Sequence, residues 1–286
     1  MFTEAYPYSC ILQGEMLMNI CVCVKQVPDT TEIKIDPVTN TLIRRGVPSV
    51  VNPFDLYAME MALQLKENRG GKIYVISMGP EQAGQAVRSC LEMGADEGRL
   101  ISGRAFGGSD TYATSYILSQ GIRMLEKQDN IKFDLILCGK QATDGDTAQV
   151  GPEMAEHLGI PQITLALDLY FENDKLIVKK VSREGYDLLT TTPPALVTVL
   201  KSNVPPRCAT LKTKMAARKK EIIILTESEM ETIELGRCGI KGSPTRVKTT
   251  YVPVQKQEGY IIREKEVQKA VEELIEKLQK DEVLRR

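Results

Sequence analysis

The stretch "FDLILCGKQATDGDTAQVGPEMAEHLG" (residues 133–159) reads as a buried strand, a polar loop and a helix. The loop places Asp144 and Asp146 on either side of Gly145. Asp146-Thr147-Ala148-Gln149 fits a capping box, with Asp146 as N-cap and Gln149 reaching back to it. Free N–H groups at a helix start, beside a glycine that lets the backbone come close, favour a phosphate. Two carboxylates would repel a pyrophosphate, so at least one must point away. Asp146 as the cap, Asp144 turned to ribose hydroxyls or backbone, and Lys140 as the cation resolve that conflict. A loop that is merely capped is the other reading. Gly151-Pro152 breaks or opens the helix.

Working outward, strands alternate with helices. MNICVCVK (18–25) is a first strand, and EIKIDPVTNTLIRRG (32–46) alternates on both sides of a turn, as a hairpin does. In NPFDLYAMEMALQLKEN (52–68), Asn52 suits an N-cap, Pro53 the first helical position and Asp55 the positive end of the helix. KIYVISMG (72–79) and GRLISG (98–103) are strands, with helices over PEQAGQAVRSCLEMGA (80–95) and residues 110–127. PQITLALDL (161–169) is a further strand. Such alternation predicts an α/β protein, a doubly wound and mostly parallel sheet with helices on both faces. Residues 168–201, with Asn-Asp and Pro-Pro punctuation, predict an antiparallel edge.

Three segments are expected: a tail over 1–17, a nucleotide-binding α/β domain over 18–225, and an extended arm with a C-terminal helix over 226–286. The last helix carries Val267, Ala270, Val271, Leu274 and Leu278 as one apolar stripe, suited either to a partner or to its own domain.

Composition removes several classes of function. Lys+Arg 37 against Asp+Glu 38 gives a net charge of −1, which speaks against nucleic acid and anionic membranes. No apolar run reaches the length of a membrane span, and the N-terminus lacks the basic start of a signal peptide. Seven cysteines without C-x-x-C spacing fit a reducing cytoplasm. Cys21 and Cys23 share one face of a strand as core thiols. His157 is the single histidine, so a Ser-His-Asp triad and histidine-rich metal sites have little to draw on, and no metal site is expected. Its place near a helix C-terminus fits partial burial.

In doubly wound sheets, ligands lie beyond the carboxyl ends of the strands. Those ends are Cys23-Val24-Lys25, Ser77-Met78-Gly79 and Cys138-Gly139-Lys140, and the helix start Asn52-Pro53-Phe54-Asp55 points toward the same place. Four segments converging is a stronger signal than one motif. No G-x-x-x-x-G-K-[ST] is present, and Gly107-Gly108-Ser109-Asp110 lacks the lysine and spacing of a P-loop. No G-x-G-x-x-G follows the first strand.

At VCVKQVPD, VNPFDLYAMEMALQLKE, MGP with EMGAD downstream, GKQATDGDTAQVGP, PPALVTVL and PPRCATLKTKMAARKK, the chain resembles the β subunit of electron-transfer flavoprotein, over roughly residues 18–225. The resemblance implies a Rossmann-like, adenine-nucleotide α-hydrolase-like domain that pairs with an α subunit and serves flavin-mediated electron transfer. One type of β subunit in that family holds structural AMP. The other holds an FAD that takes hydride from NADH and bifurcates the electrons, to ferredoxin or flavodoxin and, through the α-subunit FAD, to a dehydrogenase of acyl-CoA or 2-hydroxy acid type. The AMP type tends to carry an acid where this chain has Gly145, so the resemblance favours FAD, with AMP as the alternative. Carried over, the cofactor site comprises Cys23, Val24, Lys25, Asn52, Pro53, Phe54, Asp55, Met78 and Gly79. It continues through Gly139, Lys140, Gln141, Thr143, Asp144, Gly145, Asp146, Thr147, Ala148, Gln149, Val150 and Gly151. No side chain is assigned an acid or base role; the redox chemistry is the cofactor's. Residues 203–220 resemble the family's recognition loop, with Leu211 as apolar anchor and Lys212 and Lys214 in a basic run that steers a partner. A free-standing nucleotide-binding module or hydrolase is the reading of another class.

Overall fold

A computed structural model describes residues 11–12, 15–16, 18–29, 48–249, 259–281 and 283–284. The hairpin expected over 32–46 lies outside the described residues. In chain order come β1 (Ile11–Leu12), β2 (Glu15–Met16), β3 (Asn19–Val24), β4 (Gln26–Pro28), β5 (Ser49–Val51) and α1 (Pro53–Arg69). They are followed by β6 (Lys72–Met78), α2 (Gly84–Met93), β7 (Glu97–Ile101), α3 (Thr111–Gln128), β8 (Leu135–Gly139) and α4 (Val150–Leu158). Then come β9 (Gln162–Glu172), β10 (Lys175–Ser182), β11 (Gly185–Thr191), β12 (Ala195–Val199), α5 (Leu211–Arg218), β13 (Ile222–Leu225), α6 (Gly239–Gly242) and α7 (Val267–Lys280).

Nine strands form one sheet in the order β11-β10-β9-β12-β8-β3-β6-β7-β13. From β9 to β13 all neighbours are parallel, and β10 and β11 extend the β9 side antiparallel. The antiparallel edge is where the sequence places it, but β12 belongs elsewhere. It runs parallel between β9 and β8, with every residue buried. A fully apolar run of five residues reads the same at an edge or in the centre of a sheet, and here tertiary pairing decides.

Each face of the sheet is covered. One core joins Val22, Val75, Leu135 and Leu137 to Met59 and Leu63 of α1 and to Val87 and Leu91 of α2. The other joins Ile76, Ile101 and Ile136 to Ile117, Ile122 and Leu125 of α3 and to Met154 of α4. Chain order steps from β3 out to β6 and β7, then returns to β8 on the other side of β3. That reversal opens a crevice between the carboxyl ends of β3 and β8.

The compact unit containing the sheet extends past residue 225, to Lys248. Met230 and Cys238 are buried in the second core, so residues 226–248 belong to this domain and not to a free arm. The described residues from Thr249 onward fall in a second unit. There α7 sets Lys277 Nζ 4.4 Å over the ring of Tyr260, while Val267, Val271 and Leu274 of the expected stripe are exposed.

Candidate functional site

At the crevice β3 and β8 end side by side, Cys23 opposite Cys138. The first turn of α1 ties these ends together through one carboxylate. Asp55 Oδ2 accepts from the Lys25 N–H at 2.7 Å, and its Oδ1 accepts from the Gly139 N–H at 2.9 Å. The approach is close enough that a Cβ on Gly139 would stand 2.4 Å from Asp55 Oδ1 and 2.6 Å from the Phe54 Cβ, so only glycine fits. Burial pushes the Asp55 carboxyl up to about 7, against its hydrogen bonds to Asn52, Lys25 and Gly139 and the charge of Lys25, which pull the other way.

Asn52 occupies the N-cap position of α1, yet its side chain does not cap the helix. Its Nδ2 donates to the Gln141 carbonyl at 2.8 Å, and its Oδ1 accepts from the Thr143 N–H at 3.2 Å. The amide thereby holds the loop after β8, not its own helix.

That loop differs from the sequence expectation in three respects. Helix α4 begins at Val150 with Gln149 at the N-cap position, so Asp146 caps nothing. Asp146 and Ala148 both adopt left-handed backbone (φ +55 each), which interrupts the capping-box geometry, and the Gln141 amide donates to the Asp146 carboxylate instead. Asp144 pairs with Lys25 Nζ at 2.6 Å, and is thereby turned to a cation and not to backbone; Lys140 lines the same cavity. Finally, Gly151-Pro152 does not break the helix. Both lie in its first turn, where a proline is tolerated, and a Cβ on Gly151 would meet Thr198 Cγ2 at 2.5 Å, so the glycine lets α4 settle on β12.

The crevice encloses a cavity of about 660 Å³, within the usual range of small-molecule sites. Every residue expected at the cofactor site lines it except Pro53, Phe54 and Thr143. Phe54 packs against Gly139, and Thr143 is held through its N–H by Asn52. Where a Cβ would stand on Gly145, no heavy atom lies within 4 Å. The opposite wall is the loop after β7, with Gly103, Phe106, Gly107, Ser109 and Asp110, and the first turn of α3, with Thr114. Sequence reasoning set this loop aside because it lacks a P-loop lysine. The usable signal was its position, at the carboxyl end of another parallel strand and leading to Asp110, which caps α3 by accepting from the Ala113 N–H at 3.0 Å.

His157 is remote from this chemistry. It packs on Tyr112 and Tyr116 with ring centroids 5.3 and 5.7 Å away, and burial lowers its pKa. On another part of the surface, α5 opens with a Thr210–Thr213 capping box. Leu211 is 77 % exposed and Met215 57 %, and Lys212 and Lys214 are exposed beside them. No helix among the described residues is long and apolar enough to cross a membrane.

A doubly wound sheet with a lined cavity at its switch point defines the class of open α/β proteins that bind small ligands beyond their strand ends. Comparison with known proteins narrows the class. Residues 39–230 match the family described as electron transfer flavoprotein domain. The chain is 46% identical over 268 residues to the electron transfer flavoprotein subunit beta of Thermoanaerobacterium thermosaccharolyticum, covering 93% of this chain and 100% of that protein. It is 47% identical over 265 residues to the subunit of the same name from Megasphaera elsdenii (91% and 98% covered). It is also 42% identical over 268 residues to the caffeyl-CoA reductase-Etf complex subunit CarD of Acetobacterium woodii (93% and 100%). The chain belongs to the electron transfer flavoprotein family, among its β subunits. Its role is therefore in flavin-linked electron transport, where β subunits pair with an α subunit and serve dehydrogenases.

Proposed function

We propose that this chain is the β subunit of an NADH-dependent, electron-bifurcating heterodimer and that its crevice holds FAD rather than AMP. Gly145 carries the reading. It lines the cavity, and the space its Cβ would enter is open, so an acid could be accommodated there and would add negative charge at the cavity that a pyrophosphate would occupy. The remaining carboxylates of the loop are already engaged, Asp144 by Lys25 and Asp146 by Gln141, which leaves the crevice compatible with a diphosphate. Kinship to a subunit named for a caffeyl-CoA reductase-Etf complex supports the same reading.

When bound, FAD supplies the acceptor for the hydride of NADH and the separation of two electrons, one toward ferredoxin or flavodoxin and one toward the α-subunit flavin and a dehydrogenase. The protein's part is to bind, orient and exclude water. Asn52 and Asp55 fix the path of the loop, and Lys25 balances Asp144. The wall from Gly103 to Thr114 closes the far side. Helix α5, with Leu211 and its lysines, is the docking element for the dehydrogenase. Residues 249–286, with the exposed stripe of α7, embrace the α subunit.

Cofactor extraction from the purified α–β complex tests the reading. About two FAD per heterodimer are expected; one FAD with one AMP overturns it. Gly145→Asp should remove one of the two flavins while leaving the thermal stability of the cofactor-free subunit within about 0.5 kcal/mol, because the new side chain enters open space.

A further inference from the structure

Helix α5 is fastened at both ends by side chains of the domain beneath it. On the N-terminal side Arg207 grips two carboxylates of α1. Its backbone N–H and Nε donate to Glu60 Oε2 at 3.0 and 2.9 Å, and its Nη2 donates to Glu60 Oε1 at 2.9 Å. The same Nη2 donates to Glu67 Oε2 at 3.1 Å, and Nη1 donates to Glu67 Oε1. Glu60 is only 5 % exposed, so this fork, with Gln64 beside it, compensates a buried charge. On the C-terminal side Arg88 of α2 donates to the Ala217 carbonyl, and to that of Lys220 at 2.7 Å. Lys220 Nζ donates in turn to the Ala95 carbonyl at 2.6 Å.

An eight-residue helix is too short to persist alone in water. Only Ala217 of α5 is buried, so apolar packing gives it little support. Leu211 and Met215 lie one turn apart on its exposed side. An apolar ridge with no core of its own reaches a partner pre-ordered only if something else holds it, and ordering it afresh at each encounter would weaken binding.

We infer that Arg207 is a positioning residue for partner docking: its ion pairs with Glu60 and Glu67 fix the helix that presents Leu211 and Met215, and so set affinity for the dehydrogenase without touching the cofactor. The inference rests on the reading of α5 as the docking element.

The test uses the α–β heterodimer carrying Glu67→Gln, which loosens one arm of the fork, or Arg207→Gln with Glu60→Gln, which leaves no buried charge unpaired. Native-state trypsin cleavage after Lys212 and Lys214, flavin content, and kcat and KM toward an acyl-CoA dehydrogenase are measured. In the double variant, cleavage should rise about tenfold as the helix opens locally. KM should rise about three- to tenfold at constant kcat and flavin content. Arg207→Lys, which keeps the charge but loses the fork, should recover part of both changes. Unchanged cleavage in the double variant overturns the inference. A KM unmoved by Leu211→Ala would instead sink the docking assignment, whatever trypsin reports.

Discussion

Helix α1 uses carboxylates at two places along its length, in opposite electrostatic settings. In the first turn, Asp55 is buried against the main-chain N–H groups of Lys25 and Gly139, and burial raises its pKa to about 7. Further along, burial would also push Glu60 up, but the Arg207 fork brings it below the ordinary value, and Arg207 lowers Glu67 as well. Both devices attach a distant segment to the same helix. The first fastens the crevice between β3 and β8 with a group that burial makes a weaker acid. The second fastens a surface helix with full charges. The contrast shows that the partner, whether N–H dipoles or a guanidinium, decides what a buried acid becomes.

Three measurements bear on this contrast. The largest effect is expected from Asp55→Ala, which strands two main-chain donors, each costing about 1–3 kcal/mol. Urea unfolding should show a loss well above that of Glu67→Ala, an exposed residue; equal losses would break the comparison. Next, Leu211→Ala should leave the urea midpoint unchanged while weakening dehydrogenase binding by about 1–2 kcal/mol, as befits an anchor. A shifted midpoint would mean that the side chain supports the fold. The third measurement is of pH dependence. Because folding raises the Asp55 pKa, its contribution is fully present below 3.8 and is lost as pH climbs to about 7. The depressed values of Glu60 and Glu67 act the other way: their contribution is present above 4.5 and fades as pH falls through the folded values. Wild type should therefore lose stability relative to Asp55→Asn between about pH 4 and pH 7. A flat difference across that window contradicts the raised pKa.

Much of this architecture was legible in the sequence, because strand ends and helix starts carry local signals. The apolar run at 18–25, Pro53 at the head of α1 and the strand–loop–helix of 133–159 locate three walls of the crevice from pattern alone. The rest depends on contacts across the chain. Nothing local distinguishes Asn52 as a cap from Asn52 as a brace, since the same amide suits either; the loop that folds over it decides. Asp146 satisfies the spacing of a capping box, but left-handed backbone at Asp146 and Ala148 breaks the register that the motif requires. Residues 226–248 look like a polar linker, yet Ser243 and Thr245 bind Asp110, 133 and 135 positions earlier, and draw the segment onto the domain. Likewise the Arg207 fork joins positions 147 and 140 apart, a pairing that no window of sequence displays.

The fastening of α5 has a practical corollary. A helix located by two arginines and by carboxylates of the scaffold, with little packing of its own, is suited to exchange as a cassette. On the proposed docking role of α5, a relative's residues 203–220 could be transplanted to redirect electrons to a new dehydrogenase, provided the graft brings the arginine at 207 and the host keeps Glu60, Glu67 and Arg88.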